Sequence, residues 1–407
     1  MSQPSLSSVA VASAVPGAAS TPVATLAQTF EQTLTAITRT LADGAAQFDR
    51  SGEFPSPHFA LLQRHGLLGL TVPKTLGGAG ADLATARKVI AAVGKGDPAT
   101  ALILVMQYLQ HFRLQDNPRW PRALRERVAR GAVERGELIN ALRVEPALGT
   151  PARGGLPATL ATRTPDGWRL NGEKIYSTGS HGLTWYVVWA RSDDPDPLVG
   201  GYLVHKDMPG ITIEDDWDHL GMRATCSHRV RLDNVLLPLE HAVSVSPASA
   251  PVGDIDGEGM LWMSVLLPAL YDGVAQAARD WLVEFLATRT PSNLGAPLSS
   301  LPRFEEVVGR IDTLLFTNRT LLDAAVAGQI EHGHAGQIKH LVSSNAIKAV
   351  ELAIEAAGNP GLSRKHPLER HYRDVLCSRI HTPQDDDILR AAGRAAFAAR
   401  ASAPSNR

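Results

Sequence analysis

Cysteine is nearly missing from this 407-residue chain, where only Cys226 and Cys377 occur. Two thiols cannot build a disulfide framework or a cysteine-based zinc site, and they suit a reducing compartment. An excess of charge of either sign is also missing. There are 41 acidic and 40 basic residues, a formal net charge of −1. That balance argues against nucleic acid or an anionic membrane surface as the main partner. Long apolar runs are missing too. The longest, residues 260–271, is interrupted by Ser264 and Pro268 and falls short of the ~20 residues a bilayer span needs. Residues 1–25 are rich in Ala, Ser, Pro and Val but lack the basic start and apolar run of a secretory signal. They read as a disordered tail, and the chain is expected in the cytoplasm.

What is present suits a large core: 44% hydrophobic and 20% charged residues, in a chain too long for one ordinary domain. Leu26, Phe30, Leu34, Ile37 and Leu41 recur at helical spacing. A second helix through Phe59 and Leu62 stops at Gly66, a turn-rich crossing follows, and helices are predicted over 82–93 and 98–112. Pro98 suits a first helical turn after Asp97. The middle third changes period. Short strands are predicted over 159–164, 168–170, 185–190, 202–205, 211–214 and 229–232. Turns fall at Pro165-Asp166-Gly167 and Asn171-Gly172, the latter a strong hairpin signal. From Gly257 the helical period returns over 260–288, bent at Pro268, then over 304–328, 338–356 and 383–400.

No internal repeat is seen. The expectation is an α+β multidomain chain: tail 1–25, N-terminal helical domain 26–140, middle β-barrel 141–250 and C-terminal four-helix bundle 251–400.

Five segments carry a resemblance: Gly66-Leu-Leu-Gly-Leu-Thr-Val-Pro with Gly77-Gly78; Glu145-Pro146-Ala-Leu-Gly149-Thr150; Asn171-Gly-Glu-Lys-Ile-Tyr176-Ser-Thr178; Leu220-Gly-Met-Arg223; and Gly358, Gly361, Pro367, Arg370 with Arg373-Asp374. In this order they resemble the acyl-CoA dehydrogenase superfamily over residues 26–400. The resemblance implies that family's fold, a bound flavin, and flavin contacts from Val144, Gly149, Thr150, Tyr176, Thr178, Arg223, Gly358 and Gly361. The physics is consistent. A reduced flavin carries negative charge that amides and hydroxyls can meet in a dry cleft, and Gly149 would let backbone approach it closely. Tyr176 and Thr178, two apart on a strand, would face the same side. The bland reading makes Thr178 a strand former and Tyr176 a core aromatic.

Three departures bear on the cofactor. Val144 stands where the family usually has Thr, Arg289…Leu294-Gly295 is spaced two residues wider than usual, and Glu355 replaces a usual Gln. The resemblance therefore leaves FMN and FAD open.

The family's proton-abstracting Glu follows the Arg-Asp pair, where this chain reads His381-Thr382-Pro383. Some members place that Glu on the helix opening the bundle, where this chain has Ser264, and Asp272 two turns on is a poor substitute. The pattern resembles the branch that lost this base: oxygenase components of two-component flavin monooxygenases acting on dibenzothiophene, sulfones, hydroxyphenylacetate or amines. These take reduced flavin from a separate reductase and use O2 on a small-molecule substrate; family members usually form homotetramers. Three roles follow. His381 would hydrogen-bond the flavin hydroperoxide or orient the substrate, Thr178 would donate to the ring, and His111 would face the substrate. The bland alternatives are a surface imidazole for His381 and a helix-end histidine for His111. Two other functions stay open: an FAD-dependent acyl-CoA dehydrogenase, and a non-catalytic flavin-binding protein. No metal site is expected from Glu331-His332-Gly-His334 with His340, because positions two apart do not share a helix face. Asp385-Asp386-Asp387 reads as favourable charge at a helix start. No dinucleotide fingerprint follows a strand.

Overall fold

The computed structural model describes residues 23–115, 117–148, 155–250 and 257–402. Most of the tail expected over 1–25 lies outside these residues, as do Gly149 and Thr150, and the first helix starts at Val23.

The N-terminal part contains α1 (Val23–Ser51), α2 (Ser56–Arg64), α3 (Leu83–Gly96), α4 (Pro98–Leu114) and α5 (Arg122–Arg135). The stripe of α1 buries Leu34, Ile37 and Leu41. Helix starts follow the capping chemistry. Asp82 accepts from the Thr85 N–H at the head of α3. Asp97 accepts from Ala99 and Thr100 at the head of α4, with Pro98 in the first turn. Helix α5 was not expected; its sequence is dominated by arginine and offers only Leu124, Val128, Ala129, Gly131 and Ala132 for burial.

The middle part is one sheet of β1 (Leu138–Leu142), β2 (Leu160–Thr164), β3 (Gly167–Lys174), β4 (Leu183–Ser192), β5 (Leu198–His205), β6 (Ile211–Glu214), β7 (Arg229–Leu237) and β8 (Ala242–Pro247). Its order is β6-β7-β3-β2-β4-β5-β8, with β1 parallel to β4. The turn before Gly167 joins β2 to β3 as expected, but Asn171-Gly172 is not a turn. Strand β3 runs straight through it, and the register against β7 slips between Leu170 and Gly172. The pair marks a bulge instead. At Gly172 φ is 151°, and a Cβ there would sit 2.5 Å from Thr159 Oγ1.

The C-terminal part holds α6 (Gly257–Thr288), α7 (Pro302–Val326), α8 (Ala335–Ala357), α9 (Asn359–Leu362), α10 (Leu368–Leu376) and α11 (Asp385–Ser402). Helices α6, α7, α8 and α10 pack on one another, and α3 lies along α6. That contact is very close: a Cβ on Gly273 would fall 2.4 Å from Ala91 O. One apolar core runs from Leu34 through Tyr202 to Val350, joining all three parts. Polar ties reinforce it. The Met222 N–H donates to Asp374 at 2.7 Å. Arg373 pairs with Asp49 and Glu369 and donates to Leu220 O. The Arg-Asp motif thus clasps the bundle to α1 and to the segment before β7.

Candidate flavin and substrate site

The site starts where β1 ends. Val144 bridges Ile175, whose N–H donates to Val144 O at 3.0 Å. Next to it, Lys174 Nζ stands 2.5 Å from Glu145 Oε1, with both side chains almost wholly buried. Burial pushes the Lys174 amine down to about 8, against the pull of Glu145. Burial works to raise the Glu145 carboxyl, yet bonds from Lys174, Thr159 and Ala158 hold it below its ordinary range. The Glu of one motif and the Lys of the next are therefore partners, fixing the β1 exit against β3.

Strand β3 stops at Lys174, so Tyr176 and Thr178 do not share a strand face as expected. Tyr176 has φ 56° and opens a turn in which the Thr178 N–H donates to Tyr176 O. Tyr176 is 54% exposed rather than a core aromatic. Its ring meets Trp217 and His219 edge-on, and those two stack at 3.7 Å. Thr178 turns inward. Its carbonyl accepts from Asn140, and its hydroxyl accepts from Ser227 Oγ at 3.2 Å. Thr225 lies 2.8 Å from Ser227 Oγ and donates to Met222 O. Among the described residues the buried Ser177 Oγ has no partner. A row of hydroxyls beside an exposed aromatic shelf fits the edge of a flavin ring.

The other expected cofactor residues are spread out. Arg223 is engaged with Asp49 O, Asp218 and His219 O. Gly358, at φ 64°, caps α8 with open space around it, while Gly361 packs on Ala357 and Ile354.

His381 follows α10. It is half-buried, and its Nε2 lies 2.5 Å from the Tyr271 hydroxyl on α6. Burial, then the charge of Lys339, lowers the imidazole to about 4. Burial raises the Tyr271 hydroxyl well above its ordinary value, so the tyrosine keeps its proton and donates to Nε2, and Nδ1 carries the imidazole proton. Ser264 is buried with its Oγ unpartnered. Asp272 faces the other way, bound to Asn318 and Gln276. Lys339 pairs with Asp385 at the start of α11.

His111 is buried near the end of α4. Its Nε2 accepts from Gln107 at 3.0 Å, Nδ1 has no partner, and burial lowers it to about 4. Beside it, a cavity of about 500 Å³ opens between α4, the sheet and the start of α6, lined by Phe112, Arg113, Arg143, Trp189 and Glu258 among others. His111 is not part of that lining. No hydrogen bond links Thr178, His111 and His381; each has its own partners.

One cluster had no signal in the sequence. His181 and His228 stack at 4.7 Å beside Cys226, and Asp215 lies 2.8 Å from His181. The Trp217 N–H donates to His228 Nδ1, so Nε2 holds that ring's proton and offers no lone pair to a metal.

Three family models match in chain order: the acyl-CoA dehydrogenase N-terminal domain over residues 26–111, the middle domain over 144–235 and a C-terminal domain over 266–385. The Bacillus subtilis protein YdbM, named by inference as an acyl-CoA dehydrogenase, is 32% identical over 87% of this chain and 92% of its own length. L-evernosamine nitrososynthase of a Micromonospora species is 31% identical over 83% of this chain and 82% of its own. The structure of KijD3 in complex with FMN and an amino-keto sugar nucleotide aligns with TM-score 0.77 and 28% identity over 93% of this chain and 95% of that one. The three domain matches and these relatives show that the chain belongs to the acyl-CoA dehydrogenase superfamily of flavin-dependent oxidoreductases.

Proposed function

We propose that this chain is the oxygenase component of a two-component flavin-dependent monooxygenase. It would take reduced FMN or FAD from a separate reductase and use O2 on a small organic substrate, as a homotetramer in the cytoplasm. The observation that carries this reading is the pair His381–Tyr271. Next to the position where a dehydrogenase needs a carboxylate base, this chain offers a neutral imidazole held by a tyrosine. Thr382 and Ser264 fill the two positions where relatives keep that base, and Asp272 is tied up elsewhere. The likeness to a nitrososynthase and to FMN-bound KijD3 supports the same direction.

Bound flavin would supply the oxygen-activating chemistry. The protein's own part follows from its geometry. Thr178 would donate its hydroxyl to the ring edge, exchanging its contact with Ser227. Tyr271 would fix the tautomer of His381, leaving Nδ1–H to donate toward substrate or oxygen. The cavity by Trp189 and Glu258 would receive the substrate.

The likeness to YdbM keeps a second reading, an acyl-CoA dehydrogenase. Two assays separate them. Oxygen uptake with chemically reduced FMN, with consumption tied to product from an added amine or sulfide, is expected. Dye reduction driven by acyl-CoA, without oxygen chemistry, would establish the dehydrogenase. Flavin binding without turnover in either assay would leave a non-catalytic flavin protein.

A further inference from the structure

A second cavity, of about 590 Å³, lies between the end of α1, the segment before β7 and the start of α10. Six cationic side chains line it against two carboxylates, Asp49 and Glu369. Both carboxylates are already bound to Arg373. Arg50, Arg364, Lys365 and Arg370 have no ion-pair partner among the described residues. Exposed Arg50, Arg364 and Lys365 can be left to water. Arg370 cannot: it is 7% exposed, and its Nε is buried without any hydrogen-bond partner. A buried guanidinium with an orphaned donor is costly unless an anion meets it. Its charge is felt next door, where burial and then Arg370 push His371 down to about 3. The first turn of α10 adds to the field. Pro367 at its N-cap supplies no side-chain acceptor, and Pro367, Glu369 and Arg370 of this turn line the cavity, so the positive end of the helix lies beside it.

We propose that this cavity binds a phosphorylated ligand. Arg370 would be the buried anchor and Arg364 with Lys365 the rim, because guanidinium forks and an uncapped helix start match phosphate oxygens. The phosphate could come from the flavin itself or from a separate nucleotide-type ligand. The proposal does not rest on the reaction proposed above.

The test is calorimetry on the full chain with pyrophosphate, ADP, FMN and riboflavin. Wild type is expected to bind pyrophosphate or ADP, or to bind FMN more tightly than riboflavin, with affinity falling as salt rises. Arg370→Gln and the rim pair Arg364→Ala/Lys365→Ala are each expected to weaken binding by about ten-fold or more. The exposed rim pair keeps the test valid should Arg370→Gln fail to fold. ADP binding that persists at saturating FMN identifies a separate ligand; a rim-dependent preference for FMN over riboflavin identifies the flavin's phosphate. The proposal is overturned if no phosphate species binds, or if the rim variant binds all of them like wild type. Either result leaves the oxygen-uptake assay untouched.

Discussion

The Tyr271 hydroxyl stands 2.5 Å from Nε2 of His381, although 110 positions separate the two residues. This contact joins α6 to the segment after α10, and on the proposed function its imidazole is the group that acts on oxygen or substrate. His381→Ala is expected to lower product formed per oxygen consumed by about ten-fold and to raise peroxide release, the scale of one lost hydrogen bond. Tyr271→Phe should shift the same ratio by less, since the imidazole remains. An unchanged ratio in both variants would remove the role.

Acid should destabilise the fold. His111, His371 and His381 sit at about 4, 3 and 4, burial being the main cause each time. The unfolded chain binds protons near pH 6.5 that these native rings refuse, so stability is lost as pH falls from about 6.5 toward 4. Asp374 acts the other way: burial raises it to about 7, and it takes stability away as pH climbs from about 4 to 7. Three imidazoles outweigh one carboxyl, giving a net slope of about 1–3 kcal/mol per pH unit. Denaturant titrations at about pH 5 and pH 7 check this, and His111→Gln should flatten the difference. Equal midpoints at the two pH values would contradict it.

Lys174→Met should cost about 3–5 kcal/mol, because it strands the buried Glu145 carboxylate. Changing both partners, Lys174→Met with Glu145→Gln, should cost less than the single change. Urea unfolding of the three proteins gives the comparison; a neutral Lys174→Met would show that the pair contributes little.

Gly221→Ala should loosen the clasp between sheet and bundle. A Cβ there would fall 2.3 Å from Arg373 O, a backbone atom that cannot step aside, so a loss of about 3 kcal/mol or more is expected. Asp374→Asn next to it keeps an acceptor for the Met222 N–H and should cost about 1 kcal/mol or less. Thermal melts of the two variants test the contrast.

Much of the element order was legible from residue spacing. Asp82 and Asp97 announce helices because their side chains cap amides two or three residues away, and Ile211–Glu214 was found at its full length. Such signals are local, and local chemistry is written in adjacent residues. The misses are also physical. Asn171-Gly172 has turn chemistry, but pairing of β3 with β7 on both sides of it stretched it into a bulged strand. Tyr176 was assigned to a strand that ends two residues earlier, so its ring faces solvent and Trp217.

The primary structure settled which residues are available: His381 next to Thr382, and Ser264 in an apolar run, on a chain patterned as helices, strands and helices. Folding settled their partners. Tyr271 for His381, Lys174 for Glu145, Ser227 for Thr178 and an Arg370 Nε left without a hydrogen-bond partner among the described residues all depend on packing between distant segments. A side chain's spacing along its own helix or strand carries no record of which side chain from another element will meet it, because that is decided by how the shared core closes.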